Sequence, residues 1–227
     1  NPNLKPSDHY NLDLKWDFNP TPTELISLTA FYKLIKNPIS RIEVASAGGY
    51  LSYENIADKA TVAGVEIEIR KNLFVRPVSN AAHGMNKLSL GLNGSYIYTN
   101  AKMPLATVTT GSQLEGAAPW IVNFDLSHNF TKGERSFVNT LVLNYVSDKI
   151  YTIGTQGYQD VMEQGVLILD FVSQAKLNKH LSLNLKARNL LNPSYKLSRK
   201  ANENGEKVIL NDYKKGINIS LGVSCTF

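Results

Sequence analysis

The sequence predicts an all-β chain, a transmembrane antiparallel β-barrel segment of about nine strands. Three observations carry that reading. Apolar and polar residues alternate with period two through nine segments, aromatics stand near the segment ends, and short connections alternate with long ones. Of 227 residues 43% are hydrophobic and only 19% are charged, while Tyr and Phe reach 11 and 8, a balance unlike that of a disordered chain or a well-charged enzyme. Mean hydropathy is −0.19, and no run approaches the roughly eighteen apolar residues of a spanning helix. Alternation hides apolar content from such averages, so a lipid-facing β-protein reads as polar overall.

The first strand sets Tyr10, Leu12, Leu14, Trp16 and Phe18 against His9, Asn11, Asp13, Lys15 and Asp17. Asn19-Pro20-Thr21-Pro22 breaks it. The second, over 25–35, places Ile26, Leu28, Ala30, Tyr32 and Leu34 opposite Ser27, Thr29, Phe31 and Lys33, and Asn37-Pro38 ends it. A third sets Ala63, Val65, Ile67 and Ile69 against Gly64, Glu66, Glu68 and Arg70; a fourth sets Leu88, Leu90, Leu92, Tyr96 and Tyr98 against Lys87, Ser89, Asn93 and Ser95. The fifth has Trp120, Val122, Phe124, Leu126 and Phe130 opposite Asn123, Asp125, Ser127 and Asn129. The sixth, over 137–146, is less regular, and the seventh, over 166–177, begins apolar on both faces. The eighth carries Leu181, Leu183, Leu185 and Ala187, and the ninth Ile217, Ile219, Leu221, Val223, Cys225 and Phe227.

Connections after strands one, five and seven are tight, and those after two, four, six and eight run to a dozen residues or more. The connection 72–86 is expected to be an exception, long on the short side. Strands of this length with short turns at one end suit a tilted bilayer crossing, with Leu90 facing lipid near the midplane. A soluble sandwich or lipocalin is the competing architecture.

Net charge is +5, from 24 Lys and Arg against 19 Asp and Glu, without a block of like charges, so nucleic acid is not an expected partner. The single cysteine, Cys225, excludes an internal disulfide and Cys-rich metal spacing, and His9, His83, His128 and His180 show no ligand spacing. Glu66 and Glu68 share a face at about 7 Å, with Arg70 following. Two carboxylates at that spacing can divide acid and base work, but a polar ladder facing a water-filled lumen is the simpler reading. Asp125 and His128 fall on opposite faces. GxSxG and phosphate-loop motifs are absent, so no catalytic residue, metal or cofactor is expected. The chain opens on Asn1 with no Met, basic or apolar leader, and is read as a processed piece.

Four segments in order resemble the C-terminal half of a TonB-dependent outer-membrane receptor. They are Asn1-Pro2-Asn3-Leu4-Lys5-Pro6, Leu28-Thr29-Ala30-Phe31-Tyr32-Lys33-Leu34-Ile35-Lys36-Asn37, Tyr53-Glu54-Asn55-Ile56 followed by Gly64-Val65-Glu66-Ile67-Glu68, and Arg188-Asn189-Leu190-Leu191-Asn192-Pro193. The final Ser220-x-Gly222-Val223-x-Cys225-x-Phe227 resembles the β-signal that barrel-assembly machinery recognises. Cys225 stands in place of a usual aromatic, and Ser7-Asp8 where a Glu often follows the opening motif.

The resemblance implies a C-terminal portion, 1–227, of a larger, twenty-two-stranded barrel in the bacterial outer membrane, with plug and upstream strands outside this chain. It implies TonB-dependent uptake of a scarce ligand such as a siderophore, cobalamin, oligosaccharide or peptide, energised by the TonB complex through the N-terminal region. It also implies contact with outer-membrane lipid and lipopolysaccharide. Loops 38–50, 100–118, 149–163 and 196–212 would be extracellular. Between 196 and 215 six basic residues, Lys196, Arg199, Lys200, Lys207, Lys214 and Lys215, face three acidic ones and suit an anionic ligand. A passive porin-like channel and a non-transport ligand-binding or adhesion β-protein are the alternatives.

Overall fold

The computed structural model describes residues 1–44, 50–78, 84–103, 113–155, 157–201 and 205–226. The described residues form fifteen strands and no helix. Nine of them build one antiparallel sheet in the order β1 (Asp8–Phe18), β2 (Leu25–Lys36), β5 (Lys59–Pro77), β6 (Met85–Ala101), β7 (Trp120–Lys132), β8 (Arg135–Val146), β11 (Val166–Lys176), β12 (Leu181–Arg188) and β15 (Asn218–Cys225). These are the nine strands that alternation predicts.

The register joins like faces. Tyr10, Leu12, Leu14, Trp16 and Phe18 lie opposite Leu34, Tyr32, Ala30, Leu28 and Ile26, and Leu28 in turn lies opposite Ile67. Because side chains alternate with period two, a one-residue slip would expose every polar side chain on the apolar face, so the pattern pins the pairing. The apolar face has no protein against it: Leu12 and Leu14 are 71% and 74% exposed, and Leu221 at the other edge 73%. In water such a continuous face would be an aggregation surface. A sheet facing lipid has no such liability.

The sheet is staggered. Phe18, which ends β1, shares a cross-strand row with Ile26, Ile69, Leu92 and Phe124, yet the aromatic near the matching end of β7 is Phe130. That offset of six residues over four strand steps corresponds to a strand tilt of about 45°, the inclination of a membrane-spanning barrel strand.

The connection 72–86 is corrected by the structure. Most of it is strand: β5 runs nineteen residues to Pro77, with a register shift between Asn72 and Phe74. A bulge restores pairing after one unmatched residue, which is why strict alternation fails there and reads as a loop. The exception to the short–long alternation thereby disappears.

The long connections are also more structured than loops. Residues 38–50 and those that follow contribute the hairpin β3 (Ile39–Glu43) and β4 (Leu51–Asn55). The connections 149–163 and 196–212, with the residues just before the latter, supply β9 (Lys149–Thr152), β10 (Val161–Glu163), β13 (Ser194–Lys200) and β14 (Lys207–Lys214), a second sheet ordered β14-β13-β10-β9, whereas residues 104–112 of the connection 100–118 lie outside the described residues. A parallel bridge between Ile42 and Ile153 ties the two. The buried hydrophobic cluster sits at this end: Ile35, Ile42, Ile56, Ala57, Ala60, Ala101, Ile150 and Ile153. Protein packs on protein in this cap, whereas the body of the sheet presents its apolar side chains outward.

Candidate functional site

Two regions carry polar chemistry: the polar face of the nine-stranded sheet and the cap over its long-connection end. On the polar face, β5 places Glu66, Glu68 and Arg70 in line, as period two requires. The structure divides them. Arg70 Nε donates to Glu68 Oε1 at 2.7 Å, while Glu66 lines a separate recess of about 410 Å³ with Asn11, Asp13, Thr29, Phe31 and Lys33. The Glu68–Arg70 pair borders a recess of about 450 Å³ with Lys87, Asn93, Asn123 and Asp125. Asn123 Nδ2 donates to Asn93 Oδ1 at 3.2 Å. Both recesses mix charge signs.

Glycine shapes this face at one point. A Cβ on Gly64 would collide with the Phe31 ring and the Tyr96 carbonyl oxygen, so the ring occupies that space only because position 64 has no side chain.

Glu24 escapes a reading of the sequence. It stands just before β2, is 8% exposed, and accepts the Asn72 N–H at 3.0 Å, with Lys71 Nζ at 3.5 Å. The Asn72 N–H first, and Lys71 after it, hold the Glu24 carboxyl below its ordinary value against the cost of burial. A turn carboxylate preceding a strand gives no signal of this contact, which depends on a residue forty-eight positions away.

In the cap, Arg41 and Arg199 are anchors. The Arg41 guanidinium lies 3.9 Å from the Tyr151 ring centroid, and Nη2 meets Glu115 Oε1 at 3.1 Å. Arg199 forms an ion pair with Glu43 and lies 5.3 Å from the Tyr158 centroid; burial holds its guanidinium below its ordinary value. Glu43 is on β3 and Arg199 on β13, so the pair fastens the hairpin to the second sheet.

The six basic residues of 196–215 therefore do not form one patch. Lys196 pairs with Asp212 at 3.6 Å, and Lys215 Nζ sits 3.8 Å from the Tyr195 ring centroid. Lys200 and Lys207 face each other across the β13–β14 ladder, with Lys214 at its other end opposite Ser194. The predicted loop is a hairpin, because β-branched and apolar residues in 207–210 give its second arm strand character.

At the C-terminus, Ser220 and Gly222 pair with Lys186 and Asn184, and Val223 and Cys225 with Leu183 and Leu181. Phe227 lies outside the described residues, as does His83. A Cβ on Gly222 would meet Asn184 only at ordinary contact distance, so packing on β12 does not require glycine there. His128 faces away from Asp125: its Nε2 lies 2.8 Å from Asn86 Oδ1, whereas Asp125 lies over Gly91. Among the described residues no group of three or more His, Cys, Asp or Glu is placed to hold a metal.

A family model described as TonB-dependent receptor-like, beta-barrel, matches residues 1–190. No curated protein and no solved structure matches the chain.

Proposed function

The chain belongs to the TonB-dependent receptor-like β-barrel family, an outer-membrane receptor family, and from that premise we propose that it is the C-terminal part of a barrel that imports a scarce ligand with energy from the TonB complex. One observation carries the reading: a nine-stranded sheet with a bare apolar face, a polar opposite face and its long connections folded into a cap. The apolar face meets outer-membrane lipid. The polar face, with Glu66, Glu68 and Arg70, lines the lumen. The cap is extracellular and the short turns are periplasmic.

Among the described residues β1 and β15 are both unpaired edges of the sheet, and a spanning sheet leaves no such edge in lipid. Upstream strands complete the barrel in this reading, and a plug carries the TonB contact. Ser220, Gly222, Val223, Cys225 and Phe227 form the signal read by the barrel-assembly machinery; a Gly222 that packing does not demand supports a role in recognition. Lys200, Lys207 and Lys214, the basic residues of the β13–β14 hairpin outside the ion pairs and ring contact of the cap, offer the charge for an anionic ligand or lipopolysaccharide phosphate. The ligand is a siderophore, cobalamin, oligosaccharide or peptide.

The test uses the full-length protein in cells and in bilayers. Accumulation of one ligand from such a panel is expected to stop when a protonophore collapses the energy supply. Steady ion conductance of the purified protein without TonB would point instead to a passive channel, and recovery in the soluble fraction to a ligand-binding or adhesion protein.

A further inference from the structure

One row of side chains breaks the apolar face. His128 lies opposite both Leu88 and Asn139, and Asn139 opposite Ser173, placing these polar groups on the same side as Leu126, Leu141 and Phe171. Asn86, one pleat from Leu88, shares that side. The row is bonded within itself: His128 Nε2 donates to Asn86 Oδ1 at 2.8 Å, since an amide oxygen only accepts, and Ser173 Oγ donates to Asn139 Oδ1 at 2.7 Å. Both amide oxygens are occupied, so each asparagine retains an NH₂ donor, and neither amide nitrogen has an acceptor among the described residues.

Cations flank the row. Arg76 lies opposite Asn86, and Lys132 lies opposite Arg135 one pleat beyond Phe130 and Phe137, on the same face. All three are exposed. Strand spacing and rise put the Arg76 and Lys132 backbones about 12 Å apart, within the joint reach of two long side chains converging on one anion.

We propose that this row is a binding site for one anionic glycerophospholipid of the periplasmic leaflet. Arg76 and Lys132 take its phosphate, and the amide groups of Asn86 and Asn139 donate to its ester carbonyls. The inference rests on the outer-membrane reading above. Two observations select the occupant. The site offers cations and N–H donors, and phosphate and ester oxygens are acceptors only, whereas a protein surface would bring donors of its own. The depth also agrees: Asn139 stands two residues inward of Phe137, about 5 Å of depth at a 45° tilt, and the headgroup region of one leaflet is about 5–7 Å thick. The site lies at the short-turn end, so lipopolysaccharide, confined to the other leaflet, does not reach it.

The experiment exposes the full-length receptor in mild detergent to equimolar phosphatidylglycerol and phosphatidylcholine and reads retained lipid by native mass spectrometry. Wild type is expected to retain one phosphatidylglycerol several-fold over phosphatidylcholine. The double variant Asn86→Leu/Asn139→Leu should lose most of that retention, and Arg76→Gln/Lys132→Gln should erase the headgroup preference. Heat-modifiable migration reports folding for every variant, and Arg76→Gln alone, at an exposed residue whose guanidinium lies 5.6 Å from the Phe74 ring centroid, serves if the asparagine variant fails to fold. Unchanged retention in folded variants, or displacement of the lipid by inorganic phosphate, would overturn the site. A wild-type receptor that does not insert into bilayers would overturn the outer-membrane reading beneath it.

Discussion

Phe124→Arg tests the facing of the sheet most directly. Phe124 lies four residues from Trp120 and six from Phe130 on β7, so with about 3.3 Å per residue and a 45° tilt it sits about 9 Å from one aromatic margin and 14 Å from the other. That is close to the middle of an apolar band about 25 Å tall, where an arginine on the lipid face costs about 2–4 kcal/mol. Loss of the pairs with Leu92 and Leu143 adds about 0.2–1 kcal/mol each. Asn123→Arg, one residue away, places the same charge on the polar face and should cost less than about 1 kcal/mol. The assay is reversible folding of the full-length receptor into phospholipid vesicles, with denaturant titration followed by heat-modifiable mobility. If Asn123→Arg proves as costly as Phe124→Arg, the assignment of faces is wrong.

Leu90→Arg, which the sequence places near the midplane, lies in the row of Leu126 but one strand nearer the short-turn margin and should cost only about 1–2 kcal/mol in the same titration, even though the like charge of Lys71 directly opposite raises that cost. Glu24→Gln should destabilise the receptor at neutral pH. The folded carboxyl titrates below its unfolded value, so the difference from wild type is full above the unfolded value of about 4.3 and shrinks as pH falls through the folded one; a difference independent of pH would remove the carboxylate's role. Truncating Arg199→Ala leaves Glu43 without its cation and should loosen the cap by about 1–3 kcal/mol, read as faster hydrogen exchange in β3 and β4 with the main sheet unchanged. Gly64→Ala should cost about 1–3 kcal/mol, since the new methyl meets a backbone carbonyl that cannot turn aside; a neutral result in thermal unfolding would mean that Phe31 and Tyr96 yield.

The nine spanning strands were legible because a surface divided between water and lipid imposes period two on every residue that crosses it. Tyr10 through Phe18 cannot be permuted without placing an aspartate or lysine in the hydrocarbon. The opening and middle motifs pointed to the family by resemblance, and the match over residues 1–190 bears that family out, while the motif at 220–227 lies beyond the matched residues. The bulge of β5 was illegible for the complementary reason: one unmatched residue inverts the alternation, and only the ladder from Phe74 to Pro77 opposite Leu88 to Met85 reveals that the strand continues.

The cap was hidden differently. Its strands are short, with β10 only three residues long, too few for a period to be counted, and they pair with segments far away in the chain, as Glu43 does with Arg199. The basic residues of 196–215 looked like one charged loop because composition has no register; pairing separates Lys196, bound to Asp212, from Lys200, opposite Lys207. Membership of the all-β family, the strand count of the main sheet and its two faces follow from local alternation, which needs no knowledge of neighbours. The stagger, the folded cap, the burial of Glu24 and the polar row from Asn86 to Ser173 depend on which strands lie side by side, and that is decided by long-range hydrogen bonding that no single segment encodes.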